Sequence, residues 1–198
     1  KKLISILGST GSVGISTLKI IEKKKNSFKI NLLSANSNFD LINKQIKKYK
    51  PKIFLVFNQE VFEKIKKKFR YKKIQIINKL NKNILIQKND VTVSAIPGIA
   101  GLVPSLHMIK RSKKILMANK ESIICGWKFI KNQAIKNNTK IIPIDSEHYS
   151  IMKLLENHKF SEIKKIYITA SGGPFLNYKL PQFKRITPAK ALKHPKWK

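Results

Sequence analysis

Acidic residues are scarce in this chain: 10 Asp plus Glu stand against 42 Lys plus Arg in 198 residues. Two of the ten, Asp145 and Glu147, sit together in IPIDSEHYS. Carboxylate oxygens in such a pair suit a hard divalent cation, Mg²⁺ or Mn²⁺. Side chains at i and i+2 point apart on a regular helix. At a strand end or turn they can converge on one ion. Two carboxylates make only part of a site, and further ligands have to come from elsewhere. The plainer alternative is that Asp145 caps a helix while Glu147 and His148 face solvent.

A second chemistry is suggested by GSTGSVG, residues 8–14. It follows the apolar run Leu3–Leu7 and precedes a helical pattern through Ile15, Leu18 and Ile21. A strand, a glycine turn and a helix start together make an anion site: the turn lets backbone approach a phosphate, and the first-turn N–H groups and helix dipole favour a pyrophosphate. The spacing is G-x-x-G-x-x-G, and no G-K-[ST] closes it, so it is not a P-loop. A structural turn in an unrelated α/β protein is the alternative. After the second predicted strand the chain reads LLSANSN, residues 32–38, with no acid to take two ribose hydroxyls; the first Asp after the loop is Asp40. That leans towards a 2′-phosphorylated dinucleotide. Lys120 in ANKES (118–122) falls between a strand and a helix, and Ser171-Gly172-Gly173 opens backbone N–H groups to an anion. His194 and Trp197 in KHPKWK can donate a hydrogen bond and cover a ligand. A surface lysine, a turn and a tail are the ordinary readings of these three segments.

These residues need elements to position them. The strand candidates are 3–7, 28–33, 53–57, 74–77, 90–94, 115–117 and 140–144. Helices are expected over 39–49, ending before Pro51, over 59–69, over 102–109 with Pro104 in the first turn, from ANKE through Ile130, and after DSEH. Residues 79–88 read as a short helix or loop, 164–169 as a strand, and the remainder as loop with one short helix. Short apolar strands alternating with amphipathic helices predict an α/β fold, a Rossmann-like parallel sheet with helices on both faces. The expected division is 1–144 for the nucleotide domain and 145–198 for the opening of a second α/β domain.

Composition sets the outer bounds. The hydrophobic share of 42% excludes a disordered polyelectrolyte despite a net charge of +32. Only three of the 42 basic residues are Arg, and the lysines run along the whole chain. Phosphate-backbone binders generally use the Arg fork as well, and no finger spacing or RNA-binding motif is present. The charge therefore fits compositional drift better than specific nucleic-acid binding. One cysteine, Cys125, excludes an internal disulfide framework; it falls inside a predicted helix and is expected to be packed. No apolar run approaches a membrane span, and no signal-peptide pattern is seen, so a cytoplasmic enzyme without membrane association is expected.

Taken in order, LGSTGSVG (7–14), AIPGIAGL (95–102), ANKES (118–122), PIDSEH (143–148), SGGPF (171–175) and HPKW (194–197) resemble the 1-deoxy-D-xylulose 5-phosphate reductoisomerase family. The resemblance implies that NADPH is bound by Gly8, Ser9, Thr10, Gly11, Ser12 and Val13, with Asn38, Asn119 and Glu121 also at the cofactor. It implies that Asp145 and Glu147 ligate a divalent cation (Mg²⁺, Mn²⁺ or Co²⁺) and, with Lys120, serve catalysis. Lys120, Ser146, Glu147, Ser171 and His194 would then hold a phosphorylated sugar, and Trp197 would belong to a loop closing over it. A homodimer at full length is implied too.

Three departures from the family pattern follow. Ser37 stands where a basic residue often meets the 2′-phosphate, which weakens that bond. Pro97 falls in the glycine-containing stretch 95–101. The chain stops at Lys198, before the segment expected to supply a third metal carboxylate, so the expectation is a fragment that binds NADPH without turning over substrate. A different nucleotide-linked dehydrogenase, or a non-enzymatic anion-binding module, stays open on the residues alone.

Overall fold

The computed structural model describes residues 1–24, 26–81, 88–168 and 173–193. The chain forms two compact units, Lys1–Tyr149 and Ser150–Lys198. In the first, seven strands make one sheet: β1 (Lys2–Leu7), β2 (Phe28–Ala35), β3 (Ile53–Val56), β4 (Gln75–Ile77), β5 (Asn89–Ser94), β6 (Ser112–Met117) and β7 (Lys140–Pro143). Their order is β4-β3-β2-β1-β5-β6-β7, and every pairing is parallel. The connecting helices are α1 (Ser12–Lys23), α2 (Phe39–Tyr49), α3 (Gln59–Lys68), α4 (Leu102–Ile109) and α5 (Lys120–Lys136). A further helix, α6 (Ser146–Leu155), follows β7.

The strands are near-continuous apolar runs because both faces of a parallel sheet are covered. Alternate residues go to opposite sides. Ile4, Ile6, Leu33, Ala35, Phe54 and Val56 meet Leu18 and Ile21 of α1, Ile42 and Ile46 of α2, and Phe62 and Ile65 of α3. Leu7, Leu32, Ile53, Ile115 and Met117 face the other way, onto Met108 and Ile109 of α4 and Ile130 and Ala134 of α5. Each such fully buried side chain is worth roughly 1.5–3 kcal/mol of transfer free energy. α2 stops where Lys50 turns left-handed (φ +44°) before Pro51. Asn38, Asn58 and Asn119 cap α2, α3 and α5 by accepting from the N–H three residues on.

The strand order reverses direction between β1 and β5. The chain runs outward through β2, β3 and β4, then returns to the other side of β1 with β5, β6 and β7. Ligands of open parallel sheets bind at this crevice, beyond the carboxyl ends of the strands. A buried network ties the centre together: the Asn89 side-chain oxygen accepts from Ser5 Oγ and from Asn31 Nδ2, both at 2.9 Å.

Two sequence expectations need correction. Residues 164–168 carry no strand, and residue 169 lies outside the described residues. KKIYIT has the composition of a strand, but a ladder needs a partner, and no strand occurs among the described residues of the second unit. Cys125 does lie in a helix, yet it is exposed. The inward face of α5 is Ser122, Gly126, Ile130 and Ala134, and Cys125 stands one residue off that stripe. Of the expected helix or loop at 79–88, residues 82–87 lie outside the described residues. The second unit also holds short turns of helix, a four-residue α7 (Pro188–Ala191), and an aromatic cluster in which the rings of Phe175 and Tyr178 meet edge-on at 5.2 Å beside Phe183. No described helix is long and apolar enough to cross a membrane.

Candidate functional site: a phosphate loop and an acidic turn on one sheet edge

The glycine loop occupies the switch point. Gly8 has φ +80°, and a Cβ there would lie 2.7 Å from the Ala95 carbonyl oxygen at the end of β5. Gly14 lets α1 press on the loop; a Cβ would lie 2.3 Å from the Gly8 carbonyl oxygen. Gly11 is different, since its nearest neighbour would be 3.5 Å away. Its bare backbone serves the open side. Gly11 caps α1 without a side-chain bond, and no acid stands in the first turn. The N–H groups of Ser12, Val13 and Gly14 therefore lack intrahelical partners, and the helix dipole is uncompensated. A cleft of about 200 Å³ opens here, lined by Gly8, Thr10, Gly11, Ala35, Asn36, Phe57 and Ala95–Pro97. It draws on the ends of β1, β2, β3 and β5.

Ser9 takes no part in that opening. It is fully buried. Its N–H donates to the Ser34 carbonyl at 2.7 Å, its hydroxyl donates to Gln45 Oε1 at 2.6 Å, and its own carbonyl accepts from Gln45 Nε2 at 2.8 Å. Ser34 Oγ accepts from Gly8 N–H at 3.0 Å. Sequence reasoning missed Gln45 and Ser34. The available signal was a glutamine on the apolar stripe of a helix, beside Ile42 and Ile46.

Asn38 and Asn119 are helix caps. Asn38 is exposed at the start of α2. Asn119 is buried, and its amide donates to the carbonyls of Ile96 and Gly98, joining the loop after β6 to the loop after β5. Glu121 is exposed in the first turn of α5. Pro97 sits on the rim of the cleft, and Ser37 is exposed beyond β2.

The acidic turn follows β7. Asp145 Oδ1 accepts from the His148 N–H at 3.0 Å and lies 2.7 Å from His148 Nδ1. Asp145 thus caps α6, the plainer role, while its carboxylate also faces Glu147. Partial burial works to raise its pKa. The His148 backbone and ring, with the Glu147 carboxyl, outweigh that and hold it below the ordinary value. The Glu147 backbone N–H, the Ser146 hydroxyl at 3.0 Å and the Lys120 ammonium lower the pKa of Glu147, against an upward push from Asp145. Each carboxyl influences the ionisation of the other across the turn. Lys120 Nζ lies 3.6 Å from Glu147 Oε1, bringing the segments after β6 and β7 together. Among the described residues no set of three His, Cys, Asp or Glu side chains converges on a metal position. Mg²⁺ is commonly held by one or two carboxylates with waters and substrate oxygens, and an ionised oxygen pair fits that use.

Because all the strands are parallel, the loop after β1, the 95–98 segment, Lys120 and Asp145–Glu147 stand along one edge in that order. Three strand spacings of about 4.8 Å put β7 roughly 14 Å from β1. Ser171, His194 and Trp197 lie outside the described residues.

This site can be set beside known proteins. Residues 4–126 match the family model described as 1-deoxy-D-xylulose 5-phosphate reductoisomerase, and residues 141–198 match the C-terminal domain of the same enzyme. The chain belongs to the 1-deoxy-D-xylulose 5-phosphate reductoisomerase family. A reductoisomerase of Pelagibacter ubique (strain HTCC1062) is 45% identical over 99% of this chain and 52% of its own length. The reductoisomerase of Zymomonas mobilis, solved in complex with NADPH, superposes with a TM-score of 0.81 at 29% identity, over 98% of this chain and 52% of that one. A reductoisomerase solved with NADPH, fosmidomycin and magnesium gives 0.77 at 30% identity, over 100% and 52%. The chain spans about half the length of the curated relatives it matches.

Proposed function

We propose that this chain carries the cofactor domain and two metal-binding carboxylates of an enzyme that isomerises 1-deoxy-D-xylulose 5-phosphate and reduces the product to 2-C-methyl-D-erythritol 4-phosphate. The observation that carries the reading is the placement, on one sheet edge, of an uncapped glycine loop and of an acidic turn whose Glu147 lies beside Lys120. Family membership and the solved relatives with NADPH and magnesium support it.

In this reading Thr10, Ser12 and Val13 hold the NADPH pyrophosphate through backbone N–H groups, and Gly8 and Gly11, whose N–H donates to the Gly8 carbonyl, let it approach the loop closely. Ser9 shapes the loop from below, and Asn38, Asn119 and Glu121 border the cofactor through the segments they cap or begin. Asp145 and Glu147 hold a divalent cation. Bound at the glycine loop, NADPH would supply hydride, and a cation held by Asp145 and Glu147 would supply positive charge against negative charge developing on a substrate oxygen. Lys120 and Ser146 position sugar oxygens beside the acidic pair. Ser171 and His194 take the phosphate, and Trp197 belongs to the segment that excludes water. The functional division stays at 144/145, the site of action is the cytoplasm, and the whole protein is a homodimer. The activity belongs to that whole protein, of which this chain holds the cofactor half.

The test is a fluorescence titration of the chain with NADPH and with random DNA at rising salt. Saturable NADPH binding that survives salt, with DNA binding that salt erases, is expected. The reverse pattern overturns the reading.

A further inference from the structure

We propose that Gln45 is a positioning residue that sets the orientation of one peptide plane, and so aims the Thr10 N–H at the bound phosphate. The inference rests on the dinucleotide reading of the glycine loop.

Gln45 is 5% exposed and lies between Ile42 and Ile46 on the buried face of α2. An amide on an apolar stripe costs free energy unless both its ends are bonded. Here both ends go to a single residue: Nε2 to the Ser9 carbonyl and Oε1 to the Ser9 hydroxyl. Ile42 and Ile46 seat α2 on the sheet, and the Asn38 cap closes its first turn. What the amide fixes is the Ser9 carbonyl. A peptide unit is planar and trans, so its C=O and N–H point in opposite directions. Drawing the Ser9 carbonyl inward towards α2 turns the Thr10 N–H outward, to the side where Thr10 and Gly11 line the cleft. The preceding units are held from β2, with Ser34 Oγ taking the Gly8 N–H and the Ser34 carbonyl taking the Ser9 N–H. The 8–9 segment is thus fastened on its buried side before any ligand arrives. β2 and α2 also flank residues 36–38, where the adenosine end should lie. One rigid group therefore sets the spacing between the two ends of the cofactor.

The test compares wild type with Gln45→Met, which fills the same length without polar atoms. NADPH and adenosine 2′-monophosphate, which has no pyrophosphate, are titrated, and the Thr10 amide is followed by ¹⁵N NMR. The expected result is NADPH affinity reduced about 10-fold, unchanged affinity for adenosine 2′-monophosphate, and loss of the NADPH-induced Thr10 shift. Should Gln45→Met fail to fold, Ser9→Ala removes only the hydroxyl that anchors Gln45 Oε1 and so loosens the amide without placing a charge in the core. It should show the same selective pattern, with a smaller loss. Equal weakening of both ligands, or unchanged NADPH binding beside a lowered Tm, overturns the positioning role. A wild-type chain that does not bind NADPH sinks the dinucleotide reading itself, a different result from a silent Gln45 variant.

Discussion

The glycine loop and the acidic turn stand on the same sheet edge and are built in opposite ways. Bonds from residues far along the chain hold the loop: Ser34 and Gln45 reach it from 25 or more positions away, and all of these groups are buried. The turn is held mainly by its own neighbours. Ser146 bonds Glu147, His148 bonds Asp145, and Lys120 reaches Glu147 from the loop after β6 at 3.6 Å, with both side chains well exposed. Backbone donors must point correctly before a phosphate arrives, because a mis-set peptide cannot turn inside a packed core. Carboxylates can be gathered by the cation they bind. The fold organises the first region, and local bonds shape the second.

The sharpest way to break this contrast is at Gly14. An added methyl meets the Gly8 carbonyl oxygen at 2.3 Å and the Ser9 Cα at 2.6 Å, so Gly14→Ala should cost about 3 kcal/mol by denaturant unfolding and abolish NADPH binding. Gly11→Ala, with its nearest neighbour at 3.5 Å, should change stability by less than about 0.5 kcal/mol while still weakening NADPH. Equal destabilisation by the two would show that the loop is not fastened from one side.

Next in size is Asp145→Asn in the full-length enzyme. Metal-dependent turnover should fall by more than the roughly 10–100-fold typical of outer-shell partners, with NADPH affinity nearly unchanged. Loss of both together would mean that the turn and the loop are one organised unit. Lys120→Ala should be gentler on the fold. An exposed ion pair is worth about 0–1 kcal/mol, so Tm should hardly move, and calorimetry should find Mn²⁺ bound to the acidic pair no more weakly than before. Marked unfolding would show that Lys120 organises the turn.

The smallest effect concerns a carboxylate that the fold does organise. Asp90 bonds Lys113 and accepts the Leu3 N–H at 2.8 Å, and these partners lower its pKa. Its stabilisation is present above the unfolded carboxylate value of about 3.9 and is lost as pH falls through the lower folded value. Asp90→Asn should remove that part of the acid limb in unfolding experiments. An unchanged limb would show that Asp90 is as loosely held as the acidic turn.

Much of this could be read from residue order. The seven strands follow from short apolar runs, the helices from their spacing, and the loop from glycines between a strand and a helix. Residues 164–168 form no strand because the pattern records a preference for extended backbone and says nothing of a neighbour to pair with. Cys125 was misplaced because one residue along a helix is a rotation of 100°, enough to carry a side chain from core to surface. Gln45 was overlooked because its partners are distant in the chain.

By itself, then, the sequence determined the strands and helices of the first unit and which residues have the chemistry for phosphate and metal, since these are properties of local composition and spacing. The tertiary structure alone decided that Lys120 meets Glu147, that Asn119 joins two loops, and that Gln45 bonds both the carbonyl and the hydroxyl of Ser9. Those facts depend on which strand lies beside which, and strand order is set by packing over the whole sheet.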